Sequence, residues 1–89
     1  MIITETIEAG PVVVTQQWRC DDLRARVETE IAAAVGLNKT GLATAIGVTP
    51  PRLQQMLNAD HLTFAAYARI PVALGVNPYA WLERVEVTA

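Results

Sequence analysis

The side chains able to do chemistry are few. The chain has no serine, one lysine (Lys39), one histidine (His61) and one cysteine (Cys20). A serine triad is therefore impossible, and Cys20 with His61 is the one thiol–imidazole pair on offer. They lie far apart in sequence, and no third group is spaced to orient the base. A single cysteine excludes an internal disulfide and any multi-cysteine zinc site. Glycines 10, 36, 41, 47 and 75 form neither a phosphate-binding loop nor a dinucleotide fingerprint. Asp21-Asp22 and Glu28/Glu30 sit where a helix cap and a solvated helix face belong. The expectation is no enzyme, no metal and no cofactor.

A second set of polar residues has more order. Asn38 and Lys39 open one short helical pattern, and Thr49, Arg52, Gln54, Gln55 and Asn58 punctuate the next, with Pro50-Pro51 at its start. These side chains can meet phosphates and base edges: ammonium and amide groups contact phosphate, and glutamine and arginine can make bidentate contacts to adenine and guanine.

The elements that position them follow from periodicity and caps. Ile2 to Ile7 and Val12 to Thr15 are β-branched runs around Gly10-Pro11, which predicts two short strands, as in a hairpin. Asp21 or Asp22 caps a first helix with Leu23, Val27, Ile31 and Ala34/Val35 on its inner face, stopped by Gly36. A second helix, about 39–46, turns Leu42, Ala43 and Ile46 inward and has Asn38 as cap. Gly47 permits a tight turn, and Val48 buries between the helices. Thr49 caps a third helix, whose first two positions suit Pro50 and Pro51 because their N–H groups lack an intrahelical partner. Leu53, Met56 and Leu57 face the core; Pro51, Gln54, Gln55 and Asn58 point outward, with Arg52 on the flank. A fourth helix, about 63–74, ends at Gly75 and should kink or split at Pro71. Asn77-Pro78 opens a fifth with Tyr79, Trp81, Leu82 and Val85, and residues 85–88 extend as a strand or fray. Trp81 is read as core or dimer seam, and Trp18 and Arg19 as packing at the entry to the first helix.

The stretch Gly36-Leu37-Asn38-Lys39-Thr40-Gly41-Leu42-Ala43-Thr44-Ala45-Ile46-Gly47-Val48-Thr49 resembles the helix-turn-helix core of the phage repressor and Cro family. Phe64 through Leu82 resembles that family's closing two helices, in register, so the likeness spans about residues 22–84. It implies a mainly α, compact five-helix lambda-repressor-like domain over 21–89, with residues 1–20 as an N-terminal β extension. It also implies a sequence-specific regulator of transcription, a repressor of a phage or other mobile element. A homodimer would place the third helix, about 50–58, in the major groove of duplex DNA. Carried over residue by residue, Asn38 and Lys39 touch phosphate, Pro50, Pro51 and Gln55 face base edges with Arg52 beside them, and Asn58 meets the backbone. Prolines offer only apolar contact, so discrimination falls on Arg52, Gln54 and Gln55. Ala32 and Leu57 stand where many relatives carry an arginine–glutamate pair. Dimer contacts are expected from the fifth helix or from β segments pairing across chains. The rival reading is the same fold as a protein-interaction module, such as an antitoxin, antirepressor or host-takeover factor.

Charge and length bound both readings. With 89 residues, 52% hydrophobic, there is material for one domain and too much apolar content for a disordered tail. The net charge of −2 argues against coating nucleic acid by bulk charge. It is unevenly spread: residues 31–59 hold Lys39 and Arg52 and no acid, whereas residues 1–30 hold six acidic groups against three basic. The longest apolar run, Ile31 to Leu37, is too short to span a bilayer. No signal peptide, membrane association or small-molecule effector is expected, and the setting is read as cytoplasmic.

Overall fold

Residues 1–34 and 36–85 are described by the computed structural model. The chain runs β1 (Ile2–Ala9), β2 (Val12–Arg19), α1 (Leu23–Ala33), α2 (Lys39–Ile46), α3 (Pro50–Leu57), β3 (His61–Thr63), α4 (Phe64–Ala73), a 3-10 turn (Pro78–Trp81) and β4 (Glu83–Arg84). The expected mainly α, five-helix domain is thereby corrected. Among the described residues four α-helices accompany a four-stranded mixed sheet of order β3-β1-β2-β4, an α/β architecture.

β1 and β2 form the hairpin that their β-branched runs call for, from Ile2 opposite Arg19 to Ala9 opposite Val12. Gly10 takes φ 60° and Pro11 follows it. A two-residue loop with glycine at positive φ first, and proline's fixed φ second, suits the right-handed twist of the strands. At its base the hairpin gains a strand on either side. β3 runs parallel to β1 (Ile3 opposite Leu62), and β4 runs antiparallel to β2 (Trp18 opposite Arg84).

The expected fifth helix is replaced by a single 3-10 turn and β4. Asn77 caps that turn, its side chain accepting from Tyr79 N at 2.9 Å. Trp81 drops into the core with 8% of its surface exposed, which settles it as core. Leu82 is already extended at φ −107° and ψ 141°, so the next residues can bond to β2. Glu83 and Arg84 find backbone partners on β2, which favours the extended ladder over a further helical turn. Pro71 does not split α4. It lies buried in the last turn of a continuous helix, and its carbonyl accepts from Leu74 N (3.0 Å) and Val76 N (2.8 Å). α1 stops at Ala33, ahead of the expected Gly36, and its buried residues are Leu23 and Val27, with Ile31 half-buried and Ala34 exposed. Val35 and the expected strand at 85–88, beyond Val85 itself, lie outside the described residues.

One core joins both parts. Ile3 of β1, Val27 of α1, Leu42 of α2, Leu53 and Met56 of α3, and Tyr67 and Ile70 of α4 are all buried in it. Val48, Leu74 and Leu82 pack against it half-buried. Among the described residues no helix is long and apolar enough to cross a membrane.

Candidate nucleic-acid interface

Local chemistry sets the α2–α3 pair. Asn38 Oδ1 accepts from Gly41 N at 2.7 Å, closing the N-terminus of α2. At the other end Gly47 adopts φ 77°. Its N–H donates to the carbonyl of Thr44 (3.1 Å), and Val48 N donates to that of Ala43 (2.9 Å). This is the Schellman arrangement, which needs a left-handed residue and therefore favours glycine. Three residues on from α2, the Thr49 hydroxyl accepts from Arg52 N at 3.3 Å and α3 begins. Both caps and the turn are specified within a few residues of themselves.

α3 then presents two unlike faces. Leu53, Met56 and Leu57 are buried, while Pro50, Pro51, Arg52, Gln55 and Asn58 are exposed, as is Thr49 ahead of them. Gln54, expected outward, is half-buried. Arg52 makes no ion pair among the described residues. Asn38 is exposed beside Lys39 at the start of α2, but its side-chain oxygen is committed to its cap.

Lys39 differs from the simple phosphate ligand that its position suggests. Its ammonium donates to Glu28 Oε1 at 3.0 Å, and Arg24 Nε reaches the same oxygen at 3.3 Å. The hydrogen bond from Lys39, and then that from Arg24, hold the Glu28 carboxyl below its ordinary range. A glutamate from α1 thus answers the α2 cation, although residues 31–59 contain no acid of their own. The pair is solvent-exposed, so a phosphate can compete for Lys39.

Arg69, outside the sequence-derived set, belongs to this region. It stands on α4, and its Nη1 lies 3.5 Å from the carbonyl of Ile46 at the end of α2. Only the packing of α4 on α2 brings it there, and no local spacing signals it.

A second polar cluster, also unsignalled, joins the hairpin to α4. Glu5 is buried on β1, accepting from Trp18 Nε1 at 3.2 Å and from the Tyr79 hydroxyl at 2.6 Å. Tyr79 stacks on Phe64 (5.0 Å between centroids) and meets the Trp18 ring edge-on at 5.6 Å. The bond to Glu5 pushes the Tyr79 hydroxyl pKa up. Arg19, read as packing at the entry to α1, is exposed and pairs with Glu83 and Asp21.

The thiol–imidazole pair is not assembled. Cys20 is buried, and burial pushes its thiol pKa up, away from a reactive thiolate. His61 is exposed on β3 with Nε2 2.7 Å from Thr4 Oγ1, a contact between the neighbouring parallel strands β3 and β1. Among the described residues no group of three His, Cys, Asp or Glu side chains converges as a metal site would require. The chain matches no protein-family model, no curated protein and no solved structure.

Proposed function

We propose that this protein binds duplex DNA through α3 and acts as a transcriptional regulator of the repressor type, working in the cytoplasm as a homodimer. The observation that carries the reading is the pairing of α2 and α3 through the Gly47-Val48-Thr49 turn, with an acid-free polar face on α3. The resemblance of residues 36–49 to a repressor helix-turn-helix supports the same conclusion. In this mechanism α3 enters the major groove, Gln55 and Arg52 read base edges, and Pro50 and Pro51 give apolar contact to thymine methyls. Lys39 leaves Glu28 to take a phosphate, and Asn38 and Asn58 flank it along the backbone. Binding at an operator excludes polymerase.

Fluorescence anisotropy on duplex DNA across a salt series tests this. Affinity should fall steeply with salt, and Lys39→Ala should lower the slope of log K against log salt by about one. Absence of binding at about 50 mM salt, or binding unaffected by changing Lys39, Arg52 and Gln55 together, overturns it. One observation favours the rival protein-interaction reading: the Lys39 charge is already answered within the chain by Glu28. Under that reading Lys39→Ala leaves partner binding insensitive to salt.

A further inference from the structure

Beyond its base the hairpin has no strand neighbour among the described residues. β3 covers β1 only as far as Thr4, and β4 covers β2 only back to Trp18, with one more bond from Val85 N to Gln17 O at 3.1 Å. Among the described residues the outer half is a two-stranded ribbon, an arrangement only marginally stable alone in water. The face that carries Ile3, Glu5 and Trp18 into the core continues outward, by the period of two, as Ile7, Ala9, Val12 and Val14. There it meets solvent: Ile7 and Val14 are each 43% exposed, Val12 55% and, on the other face, Val13 60%.

The chemistry of the ribbon selects its partner. From Ile2 to Trp18 there is no Lys, Arg or His, and the charges are Glu5 and Glu8, so neither nucleic acid nor an anionic membrane is attracted. Both acids lie on β1, and the outer edge of β2 from Val12 to Gln17 carries no charge, the usual protection of an edge strand. Gln17 turns its carbonyl away from β1, toward Val85. Strand alternation then turns the N–H and C=O groups of Val13 and Thr15 the same way, where no described residue pairs with them. The run Val12 to Gln16, unpaired on this edge among the described residues, is centred on Val14, so a two-fold axis there uses all of it.

We infer that β2 pairs antiparallel with β2 of a second copy of this chain about Val14, joining two ribbons into one four-stranded sheet. Val13 of one copy exchanges backbone hydrogen bonds with Thr15 of the other, and the two Val14 side chains meet in the closer, non-hydrogen-bonded pair. Val12 then lies opposite Gln16, and no charges are opposed. The Ile7, Val12 and Val14 surfaces of both copies fall on one face of the joint sheet. This supplies an interface for the dimer invoked above, yet it does not require DNA to be the ligand.

The test therefore reads assembly without DNA. Sedimentation of the full chain over a concentration series should show a mass doubling. Val14→Lys should abolish it, since like charges would face each other across the axis, while circular dichroism shows the helices retained. Val14→Cys should form a covalent dimer on mild oxidation, because Cα atoms about 4.5 Å apart in such a pair suit a disulfide. Thr6→Cys, on the other strand, should not. A monomer at every concentration, a dimer that survives Val14→Lys, or equal crosslinking by both cysteine variants overturns the interface. A dimer without DNA binding would defeat the proposed function and leave this interface standing, whereas DNA binding by a persistent monomer would defeat this interface and the homodimer and leave the role of α3 standing.

Discussion

α3, of eight residues, and the β1–β2 ribbon, of two eight-residue strands, are both amphipathic, and they use that property in opposite ways. α3 spends its apolar face inside the chain, where Leu53, Met56 and Leu57 are buried, and leaves an exposed polar edge. The ribbon spends only its inner half, through Ile3 and Trp18, and leaves Ile7, Val12 and Val14 in solvent. A polar outward face stable by itself suits a polar ligand met transiently. An apolar outward face suits a protein surface that remains attached. The polar face proposed to read DNA and the apolar face proposed to pair with a second copy thus lie on separate elements.

Substitutions sharpen the contrast, and the largest effect belongs to the shared core. Leu53→Ala should cost about 2–5 kcal/mol in urea denaturation, since it empties a buried site. Val13→Ala in the ribbon should change monomer stability by less than about 0.5 kcal/mol. Similar losses at both positions would abolish the distinction between a packed helix and an uncovered ribbon.

Next comes the seam behind α4. The Tyr67 hydroxyl donates to the carbonyl of Pro78 at 2.7 Å, so Tyr67→Phe should cost about 1–3 kcal/mol. Burial raises the Tyr67 pKa above its ordinary value. The folded state therefore keeps a proton that the unfolded chain releases above about pH 10. The associated stability is complete below that pH and declines as pH rises through the alkaline range, a loss that Tyr67→Phe should reduce in melts between pH 8 and 12. Cys20, raised by burial, adds a decline of the same sign beginning nearer its own ordinary value.

Gly47→Ala forces a β-carbon onto φ 77° and should cost about 1–2 kcal/mol, read as a lower urea midpoint. The smallest effect on stability is expected at Glu28→Gln. At neutral pH unfolding should be almost unchanged. Because Lys39 and Arg24 lower the Glu28 pKa, its contribution is present above the ordinary glutamate pKa and lost as pH falls through the lowered value. The informative readout is DNA affinity at low salt, which should rise once Lys39 is released. No change there would remove Lys39 from the interface and weaken the polar side of the comparison.

What could be read from the chain divides by range. Asn38, Gly47 and Thr49 mark their helix ends because a cap or a left-handed turn is settled by groups within five residues. The hairpin around Gly10-Pro11 was legible for the same reason. β3 was not, since three residues carry no period and His61–Thr63 becomes a strand only by lying against Ile2–Thr4. The continuous run of Pro78 to Val85 reads as helical, but Arg19 and Trp18 offer Glu83 and Arg84 a ladder from the other end of the chain.

The candidate site divides likewise. The outward set on α3 follows from a helical wheel, whereas the Glu28–Lys39 bond, the approach of Arg69 to Ile46 and the burial of Glu5 depend on packing between separate elements. The sequence by itself determined where α2 and α3 begin and end, which of their residues are apolar, and that a β-branched hairpin precedes them. Tertiary structure decided that this hairpin becomes the centre of a mixed sheet, that a 3-10 turn and a short strand replace the last predicted helix, and that Lys39, the proposed phosphate ligand, has an acidic partner. The reason is physical: capping and turn preferences are paid within one segment, while strand pairing and charge neutralisation need a partner supplied by the folded chain.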